Sequence, residues 1–406
     1  MSHLKDFKVR ALHCDHRASE NEIYDVLCRA TEPLTRSWEQ LERARKIAIK
    51  PNMRFTPGSV AHFEGRRREL VDDAVFRATL RLLQERTSAA IIVVDDAYSP
   101  RVEGEKYPTD VNYWKILEEF GVEFVGTCDP PVVWREVPGG GAMFARYQLN
   151  EQLADADAVV SLAKMKSHVF MGVTMSLKNL FGFPPMPPYG KTRTYFHHII
   201  RLPYVLPDLG MLTRPCLNIV EGLTGQSVRE WGGEGRICDT LIAGDHPVAT
   251  DVCGAWLMGH DPASDWPTPP FRRDRNALLV AAEHGFGTVD LDEIDFQSEV
   301  TRPLGAFDSM ETDANEMVVN WRRTTCEQGL FYRDRQAELL SRYAGEYIFL
   351  QDREVVWHGP DPNNLGSRRD LSGDKKDSAL WLKFVDPDDA EGEHLEVYEE
   401  ELKRLG

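Results

Sequence analysis

Short runs of β-branched and aliphatic residues alternate along this chain with longer stretches whose apolar positions recur every three or four residues. "RKIAIKPNMRF" reads as a strand entering a loop at Pro51, and "VDDAVFRATLRLLQER" carries apolar side chains at helical spacing. "AAIIVVDDAYSP" predicts a buried strand ending at Asp95 and Asp96. "VNYWKILEEFG" predicts a helix closed by Gly121 before the strand "VEFVG". After an irregular segment at Gly139 to Gly141, "ADAVVSLAK" is again a strand. "PCLNIVEGLTG" and "CDTLIAG" continue the series, and "HPVATDVCGAWLMG" predicts a helix from near Asp245 to Gly259. This alternation implies an α/β fold, with a mostly parallel sheet and helices on both faces.

From about Tyr347 the pattern changes. "EYIFLQDREVVWHG" predicts a hairpin, "DPNNLGSRRDLSGDKKDS" a solvated loop, and "LEVYEEELKRLG" a charged helix. The expected organisation is two-lobed: an N-terminal α/β lobe over 1–160, a second α/β lobe over 161–345, and a small α+β extension over 346–406. Two Pro-rich stretches, "GFPPMPPYGK" and "DWPTPPFRR", predict loops over a site.

Composition narrows the function. The chain has 406 residues and a formal charge of −17, which argues against a nucleic-acid binder because phosphate neutralisation needs clustered Lys and Arg. The polar N-terminal stretch has no apolar signal core, and runs such as "AAIIVV" are too short to span a bilayer. The 7 cysteines include no CxxC pair, which points to reduced thiols and a cytoplasmic location, and excludes an ordinary four-cysteine iron–sulfur or zinc motif. No GxGxxG follows a strand, so no NAD site is expected.

In α/β sheets ligands lie beyond the carboxyl ends of the strands. The predicted strand ends place Lys50 with Asn52, Asp95 with Asp96, Lys164 through His168, and Glu221 along one rim. On an extended backbone Lys164, Lys166 and His168 share a face. Such donors suit carboxylate or phosphate oxygens, and His168 is also available to a metal. A helix N-terminus expected near Gly172 would add backbone donors, followed by Lys178 and Asn179. Of the adjacent His197 and His198, helical geometry lets only one face a metal shared with His168. "WGGEG" reads as a flexible flap carrying Trp231 and Glu234. Asp251 reads as a first-turn helix carboxylate. In "HCDH", His13 and Asp15 match a short His-x-acid spacing, read here as a polar strand end.

Together, "IAIKPNMRF", "AKMKSHVFMGVTMSLKNLFGF", "NIVEGLTG" and "LIAGDHPVATDVCGAWLMG" resemble the domain-of-unknown-function family 362 (DUF362), over about Val9 to Asp292. The resemblance implies an architecture similar to the nickel-pincer lactate racemase group, and a natural-product-type branch that lacks the family's cysteine-rich ferredoxin segment. It allows a mononuclear non-haem oxygenase, using Fe(II) or another divalent metal, that acts on a small polar, heterocyclic or nucleoside-like substrate with molecular oxygen. The metal ligands would then be His168, His197 or His198, and Glu221 or Asp251. Catalytic roles would fall to Lys166, His168 and Lys178, with Lys50, Asn52, Lys164, Lys178 and Asn179 holding substrate oxygens. The expected partners are small molecules, not nucleic acid or membrane, and a homodimer is left open. Two rival readings are a metal-independent or nickel-cofactor isomerase or lyase with Lys166 as base, and a non-catalytic anion-binding protein.

Overall fold

A computed structural model of the chain describes residues 6–53, 60–96, 111–186, 194–310, 312–364, 366 and 368–406. The first strand, β1 (Phe7–His13), leads into α1 (Glu20–Thr31) and α2 (Thr35–Arg43). Next come β2 (Lys46–Pro51), a short pair β3 (His62–Phe63) and β4 (Arg66–Arg67), α3 (Asp73–Arg86) and β5 (Ala90–Asp95). Then α4 (Trp114–Glu119), β6 (Glu123–Gly126), β7 (Val132–Glu136), β8 (Arg146–Asn150) and α5 (Glu151–Ala154) lead to β9 (Ala158–His168). Beyond it lie β10 (Gly172–Thr174), α6 (Ser176–Asn179), α7 (Arg201–Thr213), β11 (Leu217–Ser227) and β12 (Glu234–Gly244). The body closes with α8 (Pro247–Leu257), α9 (Ala277–Glu283) and β13 (Ile294–Ser298). The C-terminal unit holds α10 (Asn315–Tyr343), β14 (Tyr347–Gln351), β15 (Glu354–Gly359), α11 (Arg368–Ser372), β16 (Trp381–Phe384) and α12 (Glu396–Arg404).

Among the described residues the main sheet has 9 strands in the order β13-β1-β12-β11-β9-β2-β5-β6, with β10 added on β9. Pairing is parallel except where β12 meets β1 and β11, and where β10 folds back on β9. The boundary expected at 160/161 falls inside β9, so the two expected lobes share this sheet. The fully buried strands read as unbroken apolar runs because both faces are covered. In β9, Val160 and Leu162 join a core with α1, α2 and α3 on one face, while Val159 and Met165 join the core of α7 and α8 on the other.

Local chemistry sets the helix starts. Ser19 and Glu22 form a capping box on α1, Asp72 caps α3, and Pro247 occupies the first turn of α8, where a missing N–H costs nothing. The stretch expected as a solvated loop after Gly359 contains the short helix α11. The hairpin and terminal helix lie where the pattern placed them, as β14–β15 and α12.

Candidate functional site

Strand β9 is buried throughout and ends in Lys164, Lys166 and His168, which continue the face of Val160 and Leu162. The three side chains have different surroundings. Lys164 Nζ lies 2.5 Å from Glu221 Oε2, 2.8 Å from Arg67 O and 3.2 Å from Thr224 Oγ1. Glu221 also accepts the Asp72 and Leu223 amides, at 3.3 Å and 3.0 Å. Burial raises the Glu221 pKa, and Lys164 opposes that rise. This is a closed pair whose bonds are all internal.

Among the described residues, Lys166 has no carboxylate as a direct partner. Its Nζ donates to Asn52 Oδ1 at 3.0 Å and to Glu69 O at 2.7 Å, and lies 4.8 Å from the centre of the Trp231 ring. Burial lowers its pKa to about 7, opposed by Glu230 and Glu69 and aided by the Lys164 and Lys178 charges. His168 Nδ1 accepts the Phe170 and Met171 amides at 3.0 Å and 3.2 Å, and Nε2 faces Glu230 Oε1 at 3.8 Å. Burial holds this imidazole well below its usual pKa, reinforced by Lys178, Lys166 and Arg273. A neutral ring whose Nδ1 accepts two amides carries its proton on Nε2.

His197 is half-buried beside it, with ring centres 6.2 Å apart, and packs against Phe170 and Phe181. Its pKa is likewise held well below the usual range by burial, then by Lys178 and His168. Lys178 Nζ lies over the Phe181 ring at 4.2 Å. Lys166, His168, His197, Lys178, Glu230 and Arg273 thus form one neighbourhood beyond the end of β9.

Several expected site residues stand elsewhere. Lys50 lies 2.8 Å from Asp95 Oδ1, and Asn179 Nδ2 donates to Lys50 O, Ser161 Oγ and Leu162 O, so both are held by internal bonds. Burial pushes Asp95 up to about 8, with Lys50 opposing. A Cβ at Gly182 would come within 2.4 Å of Lys50 Cε, so glycine is needed there for close approach. His198 turns toward the C-terminal unit, with its ring nitrogens at 3.1 Å from Ile199 O and 2.6 Å from Leu380 O. Asp251 accepts the Ser176 and Leu177 amides, each at 2.8 Å, and so fixes the start of α6. The helix expected from Gly172 starts at Ser176, because Gly172, with φ of 73°, instead turns the chain into β10.

Of the expected iron ligands, His168 and His197 come together, but none of the expected carboxylates joins them. Glu221 is paired with Lys164, Asp251 holds backbone amides, and His198 faces carbonyls. A metal on His168 Nε2 would also need the proton on Nδ1, where two amide N–H groups already point. The donor set does not fit an iron held this way.

Among the described residues, a His–carboxylate cluster with metal-like spacing is instead Asp15, His16 and Asp239, within 4.8 Å of one another. Asp239 Oδ1 accepts the His16 backbone N–H at 2.7 Å and lies 2.8 Å from its Nδ1, which accounts for the group as a hydrogen-bonded turn. His13, from the same motif, is exposed.

Glu69, Glu230 and Arg273 were not named as site residues: Arg273 closes the "DWPTPPFRR" stretch expected over the site and Glu230 directly precedes the "WGGEG" flap, while Glu69 comes from a segment with no motif and reaches β9 only through the fold. The expected "WGGEG" flap is the β11–β12 connection, tied down where the Gly232 amide donates to Glu69 Oε1 at 2.5 Å. Of the Pro-rich stretch expected over the site, residues 187–191 lie outside the described residues. A cleft of about 650 Å³ lined by Arg36, Arg214 and His246 opens at the start of β11, the far end of that strand from Lys166.

An α/β sheet with a cationic, imidazole-bearing rim at the carboxyl ends of parallel strands defines the class. The chain belongs to the family described as "Domain of unknown function (DUF362)", whose sequence profile matches residues 47–256 and so spans β2 through most of α8. It is similar to the thylakoid-associated protein sll1697 of Synechocystis sp., at 29% identity over 127 residues, which is 30% of this chain and 38% of that protein. Its fold also aligns with the lactate racemase apoprotein of Thermoanaerobacterium thermosaccharolyticum, at 12% identity and a TM-score of 0.35, covering 62% of this chain and 56% of that one. No helix among the described residues is long and apolar enough to cross a membrane.

Proposed function

We propose that the chain is an enzyme that moves a proton on a small carboxylate substrate, as an isomerase or lyase, with Lys166 as the base. The observation that carries this is the setting of the Lys166 amine, buried, hydrogen-bonded among the described residues to carbonyl oxygens alone, and poised to titrate near neutrality. A general base works best with a pKa near the working pH. Lys178 and Arg273, whose charges already reach His168, supply attraction for the carboxylate. Lys166 takes a proton from the carbon next to the carboxylate, and the C–H electron pair passes into the carboxylate as an enolate. The His168 Nε2–H, a neutral donor at the same rim, stabilises the developing charge, and return of the proton completes an isomerisation.

The test is solvent exchange. Incubation in D₂O with a panel of small carboxylates, followed by proton NMR, should show protein-dependent loss of the signal from the carbon next to the carboxylate. Exchange should persist without oxygen and with a chelator present, and should fall at least about 10²-fold in Lys166→Met. It should also rise with pH through about 7, because the base acts only after losing its proton. Turnover that needs oxygen and added Fe(II), with no exchange, would instead restore the oxygenase reading.

A further inference from the structure

We propose that the cleft at the far end of β11 from Lys166 is a second ligand site, which holds a small phosphate monoester with an apolar body. The cleft encloses about 650 Å³, enough for a molecule of that size. Two guanidinium groups line it from separate elements, Arg36 of α2 and Arg214 just after α7. In a chain with a formal charge of −17, two cations at one concavity make a local attraction for an anion.

Among the described lining residues Asp245 is the sole carboxylate, and it is already matched. Its Oδ1 accepts the Lys8 N–H at 2.9 Å and lies 3.2 Å from Arg36 Nη2. Arg214 is not matched: among the described residues its side chain makes one hydrogen bond, from Nε to Met211 O at 3.3 Å. Both terminal amino groups are left for a ligand. Arg214 also has φ of 42°, the left-handed conformation that favours glycine after a helix, so the arginine stands there at a conformational cost. The remaining walls are largely apolar, with Phe286, Met211 and Pro215. The His246 ring packs 4.6 Å from Phe286 and is neutral, because burial pushes its pKa down to about 3. One guanidinium fork satisfies the two oxygens of a carboxylate, whereas the three terminal oxygens of a phosphate suit two forks. Pro247, the first residue of α8, lines the cleft as well, and the positive end of that helix dipole adds to the pull.

The test titrates the full-length protein calorimetrically, at low salt, with phenyl phosphate and with phenylacetate. Phenyl phosphate should bind, and Arg214→Gly, which suits the left-handed backbone, and Arg36→Met should each weaken it about tenfold or more. Thermal unfolding checks that each variant folds. Lys166→Met should bind it as the parent does, since Lys166 pairs near the other end of β11. Phenylacetate should bind this cleft at least about tenfold more weakly. Failure of phenyl phosphate to bind, or binding that both arginine variants leave intact, would overturn the proposal. Binding lost in Lys166→Met would also overturn it, by placing the anion at the end of β9. Phenylacetate bound as tightly, with the same loss in Arg214→Gly, would overturn the choice of phosphate.

Discussion

Lys164 and Lys166 lie two residues apart on one face of β9, yet their partners give them opposite roles. Lys164 sits 2.5 Å from the fully buried Glu221, so its charge is matched and immobile. Among the described residues, Lys166 donates to carbonyl oxygens alone and faces the Trp231 ring, and burial lowers its pKa to about 7. The first is a structural pair, and the second is the amine to which the proposed chemistry falls. Glu221→Gln would leave the Lys164 ammonium buried without its counter-charge, at a cost of about 3–5 kcal/mol in urea denaturation. A variant as stable as the parent would show that Glu221 is not this structural partner. The shared face of Lys164, Lys166 and His168 was legible in the sequence because a strand alternates strictly. The identity of each partner was not, since Glu221, Glu69 and Glu230 arrive from distant segments through tertiary contacts.

At the scale of elements, local patterns located several strands and helices well, but α1, α2, α7 and the long α10 were not named. The 3.6-residue period marked α3, the Pro and Gly signals bounded α8, and the β-branched runs marked β2, β5, β9 and β11. Pairing was not visible, because hydrogen bonds between strands depend on segments far apart in the chain. β1 joins β12 and β13, and so draws the first residues into the second expected lobe. The start of the short helix α6 was misplaced for a related reason. Its first amides are held by Asp251, about 75 residues later, and its N-cap residue Met175 provides no side-chain cap.

Across the whole molecule, buried charges fasten the C-terminal unit to the body. Arg201 of α7 donates to Glu393 Oε1 at 2.8 Å and to Leu382 O at 2.6 Å, while Lys383 lies 2.6 Å from Glu393 Oε2. Arg322 of α10 bridges Asp274 and Glu401. Burial alone would raise the Glu393 pKa, but Arg201 and Lys383 together pull it down to about 2. A carboxylate with a depressed folded-state pKa adds stability that is present above its ordinary pKa of 4.5 and is lost as pH falls toward about 2. Urea denaturation between pH 5 and roughly 3 should therefore show a steeper loss of stability in the unaltered protein than in Glu393→Gln. Identical slopes would mean that Glu393 does not carry this linkage.

The proposed role of Lys166 as a base poised near neutrality is tested by its own titration. Carbon-13 NMR of lysine-labelled protein, with the Lys166 signal assigned by its loss in Lys166→Met, should follow one lysine titrating near pH 7. A Lys166 signal that stays protonated until about pH 10, like an ordinary lysine, would contradict the account.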